Sequence, residues 1–162
     1  MAEKDLGDLF LHTLKDVYFA EHEILKTLPK MAQAAKNGRL KQAFDTHRMQ
    51  TEGQIQRLQQ VFSLLDQKAE GAPCEAIQGI LAEGSEVMEE FAGGPALDAG
   101  LIAAAQAVEH YEIARYGALC SWAELIDLEG VETLLEETLD EEKETDLLLT
   151  QLAEEAINIK SA

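Results

Sequence analysis

The chain is punctuated at only four places, Asn37-Gly38, Glu70-Gly71-Ala72-Pro73, Gly93-Gly94-Pro95 and Leu128-Glu129-Gly130, and the stretches between them are mostly far longer than a β-strand. Those stretches are rich in Ala, Leu, Glu, Gln and Lys, the strong helix formers. Three prolines and eleven glycines in 162 residues leave little room for strands. Long helices are expected near 3–36, 39–67, 96–127 and 130–159, with a shorter one near 74–91 in the middle connection. Pro29 lies inside the first, where it should kink the axis or end it early.

Tight turns join the first long helix to the second and the third to the fourth, so two antiparallel hairpins form and the middle segment must cross between them. The expected fold is all-α: an antiparallel four-helix bundle, one domain over 1–162, with a long crossover carrying a short extra helix. Each helix carries an apolar stripe at steps of three and four. The second reads Leu40, Phe44, His47, Thr51, Gln54, Leu58, Val61, Leu65; the fourth reads Val131, Leu135, Thr138, Glu142, Asp146, Leu149, Leu152, Ala156. The first includes Leu14, Val17, Tyr18, Glu21, Leu25 and Leu28, and the third Leu101, Ala105, Val108, Glu112 and Leu119. Phe10, Phe19 and Ile24 fall outside the first stripe, and their burial against a second copy predicts a homodimer.

Every stripe is interrupted by polar residues near its middle, and a carboxylate buried without a partner costs several kcal/mol or takes up a proton. Glu21 lies 17 residues before Gly38, and Gln50 and Gln54 lie 12 and 16 after it; Glu112 lies 18 before Gly130, and Glu142 and Asp146 lie 12 and 16 after it. At about 1.5 Å rise per residue these positions share one level of the bundle, roughly 18 to 27 Å from the turns. The chain reads as a duplicated hairpin. Carboxylates converging from four helices are how bundles hold a pair of first-row metal ions, commonly with Glu-x-x-His from two of the helices. That motif is absent: Leu9, Phe19, Phe44 and Ala107 stand three before the four histidines. The expected site is therefore rich in oxygen and poor in imidazole.

The candidate ligands are Glu21, Gln50, Gln54, Glu112, Glu142 and Asp146, with Glu109, one turn before Glu112, as an alternate ligand or a flanking acid. His47 reads as a buried histidine bonded to a core carboxylate, in preference to a ligand. Tyr18 is placed to hydrogen-bond a ligand or simply to fill the core, and Tyr116 reads as core or interface. The acidic run 136–144 reads as a solvated face except at Glu142.

A net charge of −18 repels nucleic-acid phosphate and anionic membrane surfaces, so neither is an expected partner. The first residues lack the basic-then-apolar order of a signal peptide, no stretch of 18 apolar residues occurs, and Cys74 and Cys120 have no metal-motif spacing. A cytoplasmic protein is expected.

Several segments resemble one bacterial family: Tyr18-Phe19-Ala20-Glu21; His47 with Thr51-Glu52-Gly53-Gln54; Leu101-Ile102-Ala103-Ala104-Ala105-Gln106 through Glu109-His110-Tyr111-Glu112-Ile113; and Glu142-Lys143 with Thr145-Asp146. The chain is similar over nearly its whole length to the bacterial ferritin-like proteins of the YciF/YciE type. The resemblance implies a stress-associated, metal-binding bundle. Gln50 departs from it, because Glu is expected in family members just before Thr51, and one formal charge is lost. The expected cofactor is one or two Fe or Mn ions, with redox chemistry toward oxygen or peroxide. The alternative is a dimeric helical interaction protein whose metal site is vestigial.

Overall fold

A computed structural model describes residues 3–162. Five substantial helices, α1 (Leu6–Ala34), α2 (Gly38–Leu64), α3 (Glu75–Glu90), α4 (Leu97–Leu125) and α5 (Val131–Leu152), are followed by a π turn (Ala153–Ile157) and a last short helix, α6 (Asn158–Ser161). The described residues contain no strand. The helices start where side chains can meet their free N–H groups. Asp5 and Asp8 form a reciprocal capping box at α1, and the Asn37 side chain accepts from Arg39 and Leu40 at α2. α2 and α4 both end with a residue in the left-handed region, Asp66 and Asp127, and the N–H of Gln67 and of Leu128 turns back to the carbonyl of Phe62 and of Ala123.

α1 packs antiparallel to α2 and α4 to α5; α2 lies beside α5 and α1 beside α4, while α3 lies against α4 and α1. This is the all-α four-helix bundle with a helix-bearing crossover. The Asp98 carboxylate fastens the two halves, accepting from the backbone N–H of Lys36 and Asn37 at 2.8 Å. The interior has three levels. One apolar cluster, including Leu28, Met31, Leu40, Phe44, Leu101 and Leu149, fills the end near the α1–α2 turn. Another, including Leu14, Val17, Phe62, Tyr116, Leu119 and Leu135, fills the end near the α4–α5 turn. Between them lie the buried polar residues of all four long helices.

Three expectations need correction. Of the two outcomes expected at Pro29, a kink or an early end, the early end does not occur: α1 runs on through the exposed proline, and Leu28 and Met31 beside it are held in the core. The fourth stripe does not continue to Ala156: the π turn widens the last part of the helix, and Ile157, five residues after Leu152, enters the core instead. Phe10 and Ile24 are not free for a second copy, and Phe19 is half-buried. Phe10 and Ile24 are each 2% exposed. Phe19 packs at the edge of the core, where the crossover passes so close that a Cβ on Gly71 would lie 2.9 Å from the Phe19 Cβ. The crossover is pinned there by Ala72 N–H donating to Lys15 O, so α1 has a wider buried face than a bare bundle helix. No helix among the described residues is long and apolar enough to cross a membrane.

Candidate metal centre

In the polar level His47 of α2, Glu109 and Glu112 of α4 and Glu142 of α5 each present one ligand atom, and these atoms all lie within 4.8 Å of one another. Helical spacing explains the set: Glu109 and Glu112 are three apart on one face of α4, and His47 and Glu142 sit on the apolar stripes of their helices. Glu21 enters from α1, and its Oε1 accepts a 2.5 Å hydrogen bond from the Tyr116 hydroxyl. Glu21, Glu112, Glu142 and Gln54 are all fully buried.

This level is short of hydrogen-bond donors. Glu21 Oε2, Glu109 Oε2, both oxygens of Glu112 and Glu142 Oε2 have no partner. His47 Nε2 comes to 3.1 Å from Glu109 Oε1, yet the pair is not aligned as a hydrogen bond, and both ring nitrogens are also unpartnered. Each unmet buried polar atom costs about 1–3 kcal/mol, more when charged. Burial, followed by the charge of Glu142, pushes Glu21 up to about 8 and holds Glu109 and Glu112 well above the usual carboxylate range. Burial also raises the Tyr116 hydroxyl, keeping it a donor to Glu21. Such a nest of oxygen atoms and an imidazole, directed at a common volume with so many atoms unpartnered, fits a divalent first-row ion: the cation meets the orphaned lone pairs of the cluster and displaces the protons that burial holds on its carboxyls.

The other candidates from the sequence lie around this nest. Gln54 Nε2 donates to Glu142 Oε1 at 2.6 Å and to Glu141 Oε2 at 2.9 Å. Gln50 is half-buried between α2 and α5, where its Oε1 accepts from the Thr145 hydroxyl at 3.3 Å. Asp146 is half-buried beside α4, with Oδ2 at 3.1 Å from His110 Nε2 and Oδ1 accepting from Gln106. Neither Gln50 nor Asp146 joins the four converging residues. Four residues exceed one 3.6-residue turn, so Gln50 and Asp146 are each rotated about 40° from Gln54 and Glu142, toward the seam with a neighbouring helix.

Sequence reasoning undervalued three residues. His47 stands by the carboxylate it was expected to bond, but its ring is turned toward the cluster. Tyr116, one turn after Glu112, read as core or interface, and it is instead the buried donor to Glu21. Glu141 is not simply part of a solvated face: Arg57 grips it at 2.5 and 3.0 Å and also bonds Thr138 and Glu137, which joins the surface to Gln54. The two hairpins also differ where it matters. Tyr18 occupies in α1 the place of Glu109 in α4, three before the matched glutamate, and its hydroxyl accepts from Gln59 rather than facing the cluster.

Comparison with known proteins places residues 5–162 in a family described as a domain of unknown function, DUF892. Protein YciF of Escherichia coli is 44% identical over 162 residues, covering 99% of this chain and 98% of that protein. The crystal structure of the E. coli stress protein YciF superposes with a TM-score of 0.91, covering 96% of this chain and 99% of that one. YcfI of Rhodopseudomonas palustris, for which a structural role has been suggested, is 46% identical with a TM-score of 0.88, covering 91% and 94% of the two chains. A Xanthomonas campestris protein at 24% identity and a TM-score of 0.73, covering 94% and 92%, shares the fold.

Proposed function

The chain belongs to the DUF892 family, and from that premise we propose that it is a ferritin-like metal-binding protein with one or two Fe or Mn ions in the bundle core, working in a stress response. The observation that carries this reading is the set of unpartnered atoms on Glu109, Glu112, Glu142 and His47, close enough to serve one centre. These four residues would hold the metal, with Glu21 beside them. When bound, Fe or Mn supplies electron transfer to oxygen or peroxide.

The rest of the level prepares that site. Tyr116 orients Glu21, and Gln54 orients Glu142 while linking it to Glu141 and Arg57. The apolar clusters on both sides exclude water, which strengthens every charge interaction between them. Homology to a stress protein supports the physiological setting.

Metal analysis of untagged protein from iron- and manganese-supplemented cells tests the proposal. Fe or Mn at about half an equivalent per chain or more is expected for a buried carboxylate centre; metal-free protein overturns it. A second reading, an interaction protein with a vestigial site, is favoured by amides at positions 50 and 54 where the second hairpin has Glu142 and Asp146, and by the structural role suggested for the R. palustris relative. Metal-free protein would leave that reading in place.

A further inference from the structure

A narrow cavity of about 10 Å³ reaches the polar level from the α3 side of the bundle. Ile24 and Met31 of α1, Leu81 of α3 and Ala105 of α4 are among its walls, and His47 and Glu109 also line it. The half-buried Thr27 and Leu81 mark its mouth, whereas His47 and Glu109 are 3% and 1% exposed and mark its inner end. About 10–15 Å³ of such space accommodates one molecule of water size.

The walls select against polar occupants. A buried water needs two to four polar partners. Thr27 has committed its hydroxyl proton to the carbonyl of Glu23 at 2.9 Å, so polar contacts remain chiefly at the His47–Glu109 end. An ion would leave its hydration shell against aliphatic carbon, with no oppositely charged side chain at the mouth to compensate. The hydroxyls of peroxide would find acceptors only at the inner end, where Glu109 Oε2 and the His47 ring nitrogens are unpartnered, and none along the aliphatic walls. On the α2–α5 side the seam is instead polar, spanned by Arg57, Glu141 and Gln54. The two sides of the cluster are thus chemically different.

The cavity owes its roof to α3. A Cβ on Gly100 would come to 2.6 Å from Val87 Cγ1, so α3 sits closer to α4 there than a side chain at position 100 would permit, while Gly84 has room for ordinary contact with the Ala104 Cβ at 3.5 Å. That seating brings Leu81 to the cavity.

We propose that this cavity is the binding and access site for a small, uncharged, apolar molecule of dioxygen size, delivering it to the His47–Glu109 edge of the buried cluster. Its purpose rests on the metal reading above, while its existence does not. Its aliphatic walls favour dioxygen over peroxide along the way in, and the selection ends at the polar His47–Glu109 edge.

The test uses the full chain, stripped of metal, with dissolved dioxygen as a paramagnetic probe of methyl relaxation in NMR. Methyls of the buried Ile24, Met31 and Ala105 should relax several-fold faster under oxygen pressure than the buried methyls of Leu14, Val61 and Leu119. Ala105→Leu, which fills the cavity, should abolish the excess at Ile24. Leu81→Trp, at the half-buried mouth and gentler on the core, should reduce it if Ala105→Leu fails to fold. Equal enhancement at both sets of methyls, or an excess unchanged in the folded variants, overturns the proposal. A protein isolated without Fe or Mn that still shows the excess refutes the metal reading alone; a metal-loaded protein without the excess refutes only the cavity.

Discussion

Glu21 is a carboxyl group whose protonation is set almost wholly by its surroundings. In the folded, metal-free protein its pKa stands at about 8, above the value of 4.5 for an ordinary glutamate, with burial as the main cause. Between those two values the native state keeps a proton that the unfolded chain has released. Stability from this residue is therefore greatest below about 4.5, falls as pH rises through the window, and is fully lost above about 8. Glu21→Gln removes that dependence while leaving an oxygen for the Tyr116 hydroxyl. In chelator, wild type should lose more stability than Glu21→Gln between pH 5 and pH 8, by on the order of a few kcal/mol. Denaturant titrations of both proteins at the two pH values measure the difference, which also cancels the background from the acidic surface. Parallel behaviour would show that Glu21 titrates as it does in the unfolded chain. The chemical character of this position was legible in the sequence, because a glutamate stood on an apolar stripe; its Tyr116 partner became evident only once α1 and α4 were side by side.

Among the elements, α3 was expected as a helix, but its own stripe does not say what it covers. Only Ile77 and Gly84 of its residues are buried, and its seating on α4 depends on the absence of a side chain at Gly100. Two Gly→Ala substitutions should accordingly act with opposite signs. Gly79 faces open space within α3, so Gly79→Ala should stabilise by about 0.5–1 kcal/mol through reduced backbone freedom in the unfolded chain. At Gly100 the same gain is outweighed by the contact with Val87 Cγ1, since overpacking costs about 1–3 kcal/mol. Gly100→Ala should therefore destabilise by about 1 kcal/mol. Urea midpoints of the two variants against wild type decide it, and stabilisation by Gly100→Ala would mean that α3 lies further from α4 than described. Helix termini were readable because caps and breakers are local. The π turn that admits Ile157 was not, since a single widened turn reflects what the last residues pack against.

At the level of the whole molecule, the stability of the bundle and the proposed metal site draw on the same carboxylates. Without metal, burial first and the charge of Glu142 second hold Glu21, Glu109 and Glu112 above the usual carboxylate range, so keeping this layer ionised at neutral pH costs stability. Glu112→Gln combined with Glu142→Gln keeps the shapes and removes two of the groups that would otherwise ionise there. The metal-free double variant should melt above metal-free wild type, by about 2–4 °C for each kcal/mol of that cost relieved. Added Fe(II) or Mn(II) should raise the melting temperature of wild type by preferential binding to the folded state and leave that of the variant unchanged. Thermal scans with chelator and with metal provide the readout. A destabilised variant, together with a wild type indifferent to metal, would falsify the centre as a whole.

The sequence by itself determined the helices, the two hairpins, the crossover and the level at which Glu21, Gln54, Glu112 and Glu142 interrupt the apolar stripes, because breakers, caps and periodicity act over a few residues and can be counted along the chain. It also carried the resemblance to the family. Only the tertiary structure decided that His47 and Glu109 join the cluster, that Gln50 and Asp146 turn away to Thr145 and His110, and that Gly71 of the crossover lies against the half-buried Phe19. The reason is angular and spatial. Helical spacing fixes which face a residue occupies to within tens of degrees, whereas convergence of ligand atoms within 4.8 Å depends on how four helices are rotated about their axes and on which segment of the crossover closes the remaining groove.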